Sequence, residues 1–302
     1  MSIIDLIGVP FDGYGRAGNQ TRAAAALRTA GFVAAFDRHQ VIVEPDLDLP
    51  LQKGERALGS GLMNEPALLV MIESLHAQVR ETISLGRFPF VYGADCSVLL
   101  GALPALHDTA GEAGLVFVDG HEDAVTLNAS PDGEAASMEI ALLLGLTGEE
   151  APEALRKRMP TLRLDTLAML GPRDRSVLRD LKVPTLAERG VFLFTPEDIA
   201  SDPARRAQEA VKHVVSHAPR WWLHTDLDVL SGDEFSARGV GQNDPALPGG
   251  LSWLVLTTLV SAAFQAGGCC GWGLVIYNPD RDPDGSDGRR IVRFVADVAP
   301  FI

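Results

Sequence analysis

Three places in the chain set acids, a thiol or an imidazole directly behind a run of apolar residues. After FPFVY comes GADCS, with Asp95 and Cys96. After LVFV comes DGHED, with Asp119, His121 and Asp123. After WWLHT comes DLDVL, with Asp226 and Asp228. Side chains of an extended chain repeat every second residue. If that geometry persists past Val118, Asp119, His121 and Asp123 are predicted to point one way, and Asp226 and Asp228 likewise. Four carboxylates converging on one imidazole in a half-buried cleft repel one another unless a cation neutralises them. A divalent metal is the simplest such cation, and oxygens with one imidazole nitrogen suit Mn²⁺, with Zn²⁺, Ni²⁺, Co²⁺ or Fe²⁺ as alternatives. Carboxylates that bridge two ions are also how two-metal hydrolases hold a shared hydroxide. Each piece has a plainer reading by itself: a lone DxD caps a following helix, and a lone histidine is structural. Their conjunction behind separate buried runs points to a metal.

The elements that position these groups follow from the hydropathy pattern. Short runs apolar throughout recur at 3–8, 88–92, 115–118, 166–170, 191–194, 221–224 and 274–277, and they read as strands covered on both faces. Helical patterns lie between many of them, at 23–30, 66–85, 98–107, 135–144 and 204–217. Alternating strands and helices predict a three-layer α/β/α sandwich around a mainly parallel sheet. No repeat, Ser-rich linker or long charge run divides the chain, so one domain over 1–302 is expected. Two long loops are predicted, at 46–65 and 231–250. Ligands bind beyond the carboxyl ends of strands in such sheets, which is where the polar clusters fall.

Composition narrows the function. The chain has 302 residues, 46% hydrophobic and 22% charged, which excludes a disordered polypeptide. Its 26 Lys+Arg against 40 Asp+Glu give a net charge of −14, a poor footing for nucleic acid. The acidity serves solubility first and adds slight support for a cationic small-molecule substrate. The three cysteines, Cys96 and the adjacent Cys269 and Cys270, make no disulfide framework and suggest a reducing, cytoplasmic setting. The N-terminus lacks the pattern of a signal peptide. Between Asp244 and Asp280 there is no charge, but Pro245, Pro248 and two Gly-Gly pairs cut the segment too short to span a membrane. A buried helix near 252–265 and a buried strand near 273–277 are expected there instead.

The three clusters, in this order, resemble the ureohydrolase family of arginase, agmatinase and formiminoglutamase. That family carries GGDHS-like, DAHxD and SxDxDxxDP segments; here they read GADCS (93–97), DGHED (119–123) and HTDLDVLSG (224–232). The opening IIDLIGVPFDGYGR with RAAAALRTAGF, and later LGPRD, PGGLSW and YNP, match further landmarks, so the likeness spans nearly the whole chain. It implies a binuclear manganese centre with Asp119, His121, Asp123, Asp226 and Asp228 as ligands, Asp119 and Asp226 bridging. It also implies His121 and Asp123 as catalytic groups, attack of a metal-bound hydroxide on a guanidino carbon, and assembly into homo-oligomers.

The departures from that pattern are as informative. The family's first ligand, a histidine, is Cys96 here: a thiolate ligand that would weaken or retune one site, or a small buried residue. The serine of SxDxD is His224, which shares the parity of Asp226 and so could reach the metal, but is expected rather to support the ligands or fill the core. A proton-shuttling histidine of arginases aligns with Ala136. The groups that recognise the amino-acid end of arginine align with Val125, Pro131, Asp132 and Glu134. The glutamate that grips the guanidinium aligns with Ile276. A buried guanidinium without a carboxylate is costly, so arginine is not the expected substrate. Glu122, Asp132, Glu134 and Asp280 are the acids near enough in sequence to replace that partner, with Glu134 preferred and Asp132 beside it; Glu134 could equally be an acid stabilising a helix start. Two other readings compete. DLDVL resembles the nucleophile segment of haloacid-dehalogenase-type phosphatases, but it sits late in the chain and no lysine follows it. A degenerate relative that binds a ligand or partner without catalysis is favoured by Ile276, Ala136 and Cys96, and opposed by the retained carboxylates and His121.

Overall fold

In the computed structural model, which describes residues 2–14, 20–147, 150–238 and 247–302, the apolar runs become eight strands of one sheet. They are β1 (Ile3–Gly8), β2 (Gln40–Val43), β3 (Phe88–Tyr92), β4 (Gly114–Val118), β5 (Leu167–Leu170), β6 (Phe192–Phe194), β7 (Trp221–Asp226) and β8 (Cys269–Val275). The order across the sheet is β2-β1-β3-β8-β7-β4-β5-β6, and every pairing is parallel. The helices are α1 (Ala23–Thr29), α2 (Glu65–Ser84), α3 (Leu99–Ala110), α4 (Glu139–Leu143), α5 (Glu153–Arg156), α6 (Arg175–Asp180), α7 (Pro196–Ser201), α8 (Pro203–Val215), α9 (Trp253–Gln265) and α10 (Ser286–Val298).

Alternate strand residues enter two separate cores. Val91, Leu115, Phe117, Met169 and Trp222 pack with α2 and α3 on one face. Phe90, Val116, Leu170, Leu223 and Trp272 pack with α1, α8, α9 and α10 on the other. Burial of both strand faces is why these runs carry no polar alternation. Each fully buried large apolar side chain adds about 1.5–3 kcal/mol, enough in sum to hold charged loops at the sheet's end in an unfavourable arrangement.

The register matters most for function. Tyr92 of β3 pairs with Leu274 of β8, Leu274 with Thr225 of β7, and Thr225 with Val118 of β4. Four central strands therefore finish level, and the residues that follow them share one rim.

Several sequence expectations shift. Strand β8 lies at Cys269–Val275, earlier than 273–277. The pattern at 135–144 resolves into a 3-10 turn, Ala135–Ser137, and the short α4. The edge strand β2 and the helix α10 were not anticipated. The 46–65 loop contains only an isolated bridge between Arg56 and Met63. The 231–250 loop is described only in part, because 239–246 lie outside the described residues. All three cysteines are free. Among the described residues no helix is long and apolar enough to cross a membrane.

Candidate metal centre

The acids converge at the rim: Asp226 is the last residue of β7, and Asp119 follows the end of β4 with its N–H still donating to the Leu170 carbonyl of β5 at 3.1 Å. The Asp119 carboxylate accepts the His121 backbone N–H at 2.7 Å, closing a tight turn. Asp123 then adopts a left-handed conformation with φ 43°. On β7 the same device recurs: Asp226 Oδ1 accepts the Asp228 backbone N–H at 2.6 Å and caps the 3-10 turn Leu227–Val229. These side-chain-to-backbone turns fold the chain back at the rim just after each strand. On β3, Asp95 accepts from Gly13 N at 2.6 Å and Ser97 N at 3.1 Å, which fixes the turn that presents Cys96. Two further strand ends are bent: Ala94 has φ 60° and Ile276 φ 65°. Positive φ is uncommon for any residue with a side chain and an outlier for a β-branched one. Such strain, of order 1–3 kcal/mol per residue, clusters at functional sites.

The result is one buried group of donors. Cys96, 1% exposed, donates from Sγ to Asp226 Oδ2 at 2.9 Å and lies 3.6 Å from Asp119 Oδ2. His121 Nδ1 is 3.0 Å from Asp228 Oδ2 and 3.5 Å from Asp119 Oδ1, with 26% of its side chain exposed. Among the described residues, three overlapping sets of ligand atoms lie mutually within 4.8 Å: Cys96 with Asp119 and His224, Cys96 with Asp123 and Glu139, and Asp119 with His121 and Asp228.

Electrostatics divide the group. Burial and then the Asp228 charge push Asp119 up to about 7. Burial, followed by neighbouring acids, raises Asp123 and Asp226 well above the usual carboxylate range, and it lifts the Cys96 thiol as well. Burial raises Asp228 too, but His121 and Arg173 outweigh it and hold Asp228 at about 2. Burial lowers His121, yet Asp228 and Asp119 keep it well above its ordinary value. Both acids share this imidazole; Asp228 takes the larger benefit because its oxygen is nearer and it also accepts the Gly120 N–H at 3.1 Å.

Other acids named from sequence are placed differently. Glu122 turns away and accepts the Leu186 N–H at 2.5 Å, in a pocket with Asp174, Arg175 and Glu188. Asp132 accepts from Ser130 Oγ and Glu134 N, both at 3.1 Å, within its own turn. Glu134 lies near Tyr14, whose phenol is raised well above its ordinary range by burial and then by Glu134, Asp226 and Cys96. Asp280 pairs with Arg22 at the surface. Ile276 is 1% exposed, and Val125 packs with Leu178 and Val183.

His224 is fully buried, stacked flat on Phe117 with centroids 5.2 Å apart, and neither ring nitrogen has a hydrogen-bond partner. Burial lowers it to about 3, so it is neutral. Glu139, Tyr14 and Arg173 also lie in or near the cluster and were not singled out from sequence. Glu139 had a readable signal, an acid between Met138 and Ile140 in an apolar stretch. Arg173 sits in the LGPRD landmark and donates to the Asp228 carbonyl at 2.6 Å.

Comparison with known proteins agrees with this architecture. The Arginase family model matches residues 2–299. An arginase of Bacillus caldovelox is 30% identical over 246 residues, 80% of each chain. The native structure of Bacillus caldovelox arginase superposes with a TM-score of 0.84 at 23% identity, covering 99% of this chain and 98% of that one. The formimidoylglutamase of Bacillus subtilis gives a TM-score of 0.74 at 17% identity, covering 100% and 87%. At those identities the two superpositions speak for the fold alone.

Proposed function

Because the chain belongs to the arginase family, we propose that it is a metal-dependent hydrolase splitting a C–N bond in a guanidino, amidino or formimino compound other than arginine. The observation that carries this reading is the buried convergence of Cys96, Asp119, His121, Asp123, Asp226 and Asp228. Two like charges about 4 Å apart repel by about 4 kcal/mol even at an effective dielectric of 20. A cluster of this kind is stable as carboxylates only around cations. The donor set fits a divalent metal: oxygens, an imidazole and a thiol, with the buried Glu139 oxygens and His224 nitrogens lacking partners. Mn²⁺ suits the His121 side, and Zn²⁺, Co²⁺, Ni²⁺ or Fe²⁺ suit the side with Cys96. When bound, such ions supply the acidity that makes water a nucleophile near neutral pH.

The chain's own residues do the rest. Asp119 and Asp226 stand at the middle of the cluster, where each reaches both sides. Asp123 is the carboxyl that takes a proton from the attacking water and returns it to the departing nitrogen as the C–N bond breaks. His121, held between Asp119 and Asp228, orients that exchange. Glu134, with Asp132 beside it, receives the cationic end of the substrate in place of a carboxylate at Ile276. The apolar surroundings of Val125 offer nothing to an α-amino acid end, and the buried Ile276 offers no carboxylate to a guanidinium, which is why arginine is set aside.

The test is metal analysis of the purified protein together with a turnover screen of guanidino, amidino and formimino compounds. Turnover of a non-arginine compound, lost in Asp119→Ala, is expected. Bound metal with no turnover across the screen supports instead the degenerate relative that binds without catalysis, a reading that the buried Ile276 favours.

A further inference from the structure

Glu139 is the one acid of the cluster that the motif pattern does not contain. It opens α4 and is 0% exposed, with the 0%-exposed Met138, Ile140 and Ala141 around it in sequence. Two backbone bonds set its place. Ile140 N donates to the Asp123 carbonyl at 3.1 Å, and Val125 N donates to the Ser137 carbonyl at 3.1 Å. They lash the start of α4 to the loop that carries Asp123, so the two side chains lie together. Cys96 comes up from the other side, and its sulfur, an Asp123 oxygen and a Glu139 oxygen lie mutually within 4.8 Å.

A wholly buried carboxyl normally finds donors. Neither oxygen of Glu139 meets hydrogen-bonding geometry with any partner among the described residues. The Asp123 carboxyl is near enough to share a proton with it, but that contact falls outside good geometry and joins two acids. An isolated buried carboxylate costs several kcal/mol, and a neutral one still wastes its hydrogen-bonding groups. A cation between Cys96, Asp123 and Glu139 removes both penalties.

We propose that Glu139 is a ligand of the ion on the Cys96 side, and that a thiolate flanked by Asp123 and Glu139 draws a thiophilic divalent ion such as Zn²⁺ or Co²⁺ there. The inference rests on the metal-centre reading above and extends it to a residue outside the motifs. Glu139 thereby replaces, as an oxygen donor, part of what the exchange of histidine for Cys96 removes.

The experiment uses Co²⁺ added to the metal-free full-length protein. Thiolate-bound Co²⁺ shows a near-ultraviolet charge-transfer band, so the Cys96-side ion is read separately from the His121-side ion. Glu139→Gln keeps the side chain's shape and removes its charge. Loss of a ligand should weaken the banded site by at least about tenfold, while the unbanded site changes by less than about twofold. A protonated, purely structural Glu139 predicts the opposite, a banded site unchanged within about twofold, and that result overturns the proposal. Anomalous scattering from Co²⁺-loaded wild-type crystals gives a readout independent of how the variant folds. A Glu139 oxygen about 2.0–2.2 Å from the ion is expected; both oxygens beyond about 3 Å overturn it. Co²⁺ uptake without the band rejects Cys96 and Glu139 while leaving a His121-side metal. No uptake at all rejects the metal centre itself.

Discussion

On the His121 side of the cluster nearly every charge is answered. Asp228 faces His121 at 3.0 Å, accepts Gly120 N–H at 3.1 Å, lies near the Arg173 guanidinium and stays ionised down to about 2. On the Cys96 side the groups are as deeply buried and go unanswered: Glu139 and His224 lack partners, and Asp123, Asp226 and the thiol are all pushed toward their neutral forms. The first side is self-sufficient as folded protein. The second is paid for by the surrounding core and gains most when a cation arrives. It is also the side that carries Cys96 and His224, the two departures from the family's motif segments read from the sequence. The two sides should therefore respond differently to anything that changes metal or proton concentration.

The largest effect should come from removing the residue both sides share. Asp119 touches Cys96 at 3.6 Å and His121 at 3.5 Å. Asp119→Ala should lower metal affinity and turnover by at least about a hundredfold, since even supporting residues at metal sites cost 10–100-fold. Metal content by mass spectrometry and the substrate screen check this. Retention of both ions with full activity would erase the proposed centre. Asp226→Ala should behave alike.

Metal removal comes next. Ion at about a hundred times its dissociation constant stabilises a folded protein by about 2.7 kcal/mol. Chelation should thus lower the melting temperature by several degrees, and readdition of metal should restore it. A melting curve indifferent to chelator would mean that the Cys96 side is content without an ion.

Protons separate the two sides by sign. Asp119 is raised to about 7, above the roughly 3.9 of an unfolded aspartate. Its contribution in the metal-free protein is complete below about 4 and lost as pH rises through 7. Asp228 is lowered to about 2, so its contribution is present above about 4 and lost as pH falls toward 2. Metal-free protein should therefore melt at lower temperature at pH 8 than at pH 5, and metal should abolish that alkaline decline while leaving the acid limb in place. Melting scans with and without metal test it; an alkaline decline that persists in saturating metal would count against an ion beside Asp119.

A subtler change tunes one side only. Cys96→His exchanges a soft donor for one that Mn²⁺ accepts. Manganese occupancy should rise, by about tenfold in affinity, with zinc preference falling in step. Unchanged occupancy would place Cys96 off the ion.

Most of this architecture was legible in the chain, for physical reasons that also mark the gaps. Runs such as FPFVY and LVFV are buried on both faces, so their strands stand out. Strand β2, a four-residue edge strand with no fully buried residue, gives no such signal. Helix α10 carried one in Ile291, Phe294, Val295 and Val298, which form a buried stripe at helical spacing. The donors at the ends of β4 and β7 were found because acid and imidazole follow apolar runs there. What the strand period alone does not show is that Asp119 and Asp226 also fold the chain back with their own carboxylates. Glu139 stands out locally as an acid in an apolar stretch, but its place beside the cluster comes from the tertiary pairing of α4 with the Asp123 loop, which no local spacing encodes.

The smallest predicted effect tests whether acidity alone earns a place in the site. Asp280 is close in sequence to the strand end at Ile276 and was one of four acids considered as a partner for a cationic substrate. Its carboxylate instead pairs with Arg22, and both side chains are substantially exposed, at 45% and 59%. Exposed ion pairs contribute about 0–1 kcal/mol because water already solvates both charges. Asp280→Ala should change stability by no more than about 0.5 kcal/mol and leave metal content and turnover unchanged. Glu134→Gln, at the acid proposed to receive the substrate, should raise KM for a cationic substrate with metal content intact. If the two variants exchanged these behaviours, the substrate would enter from the β8 side of the rim, and the division between a satisfied and an unsatisfied half would have to be redrawn around Asp280.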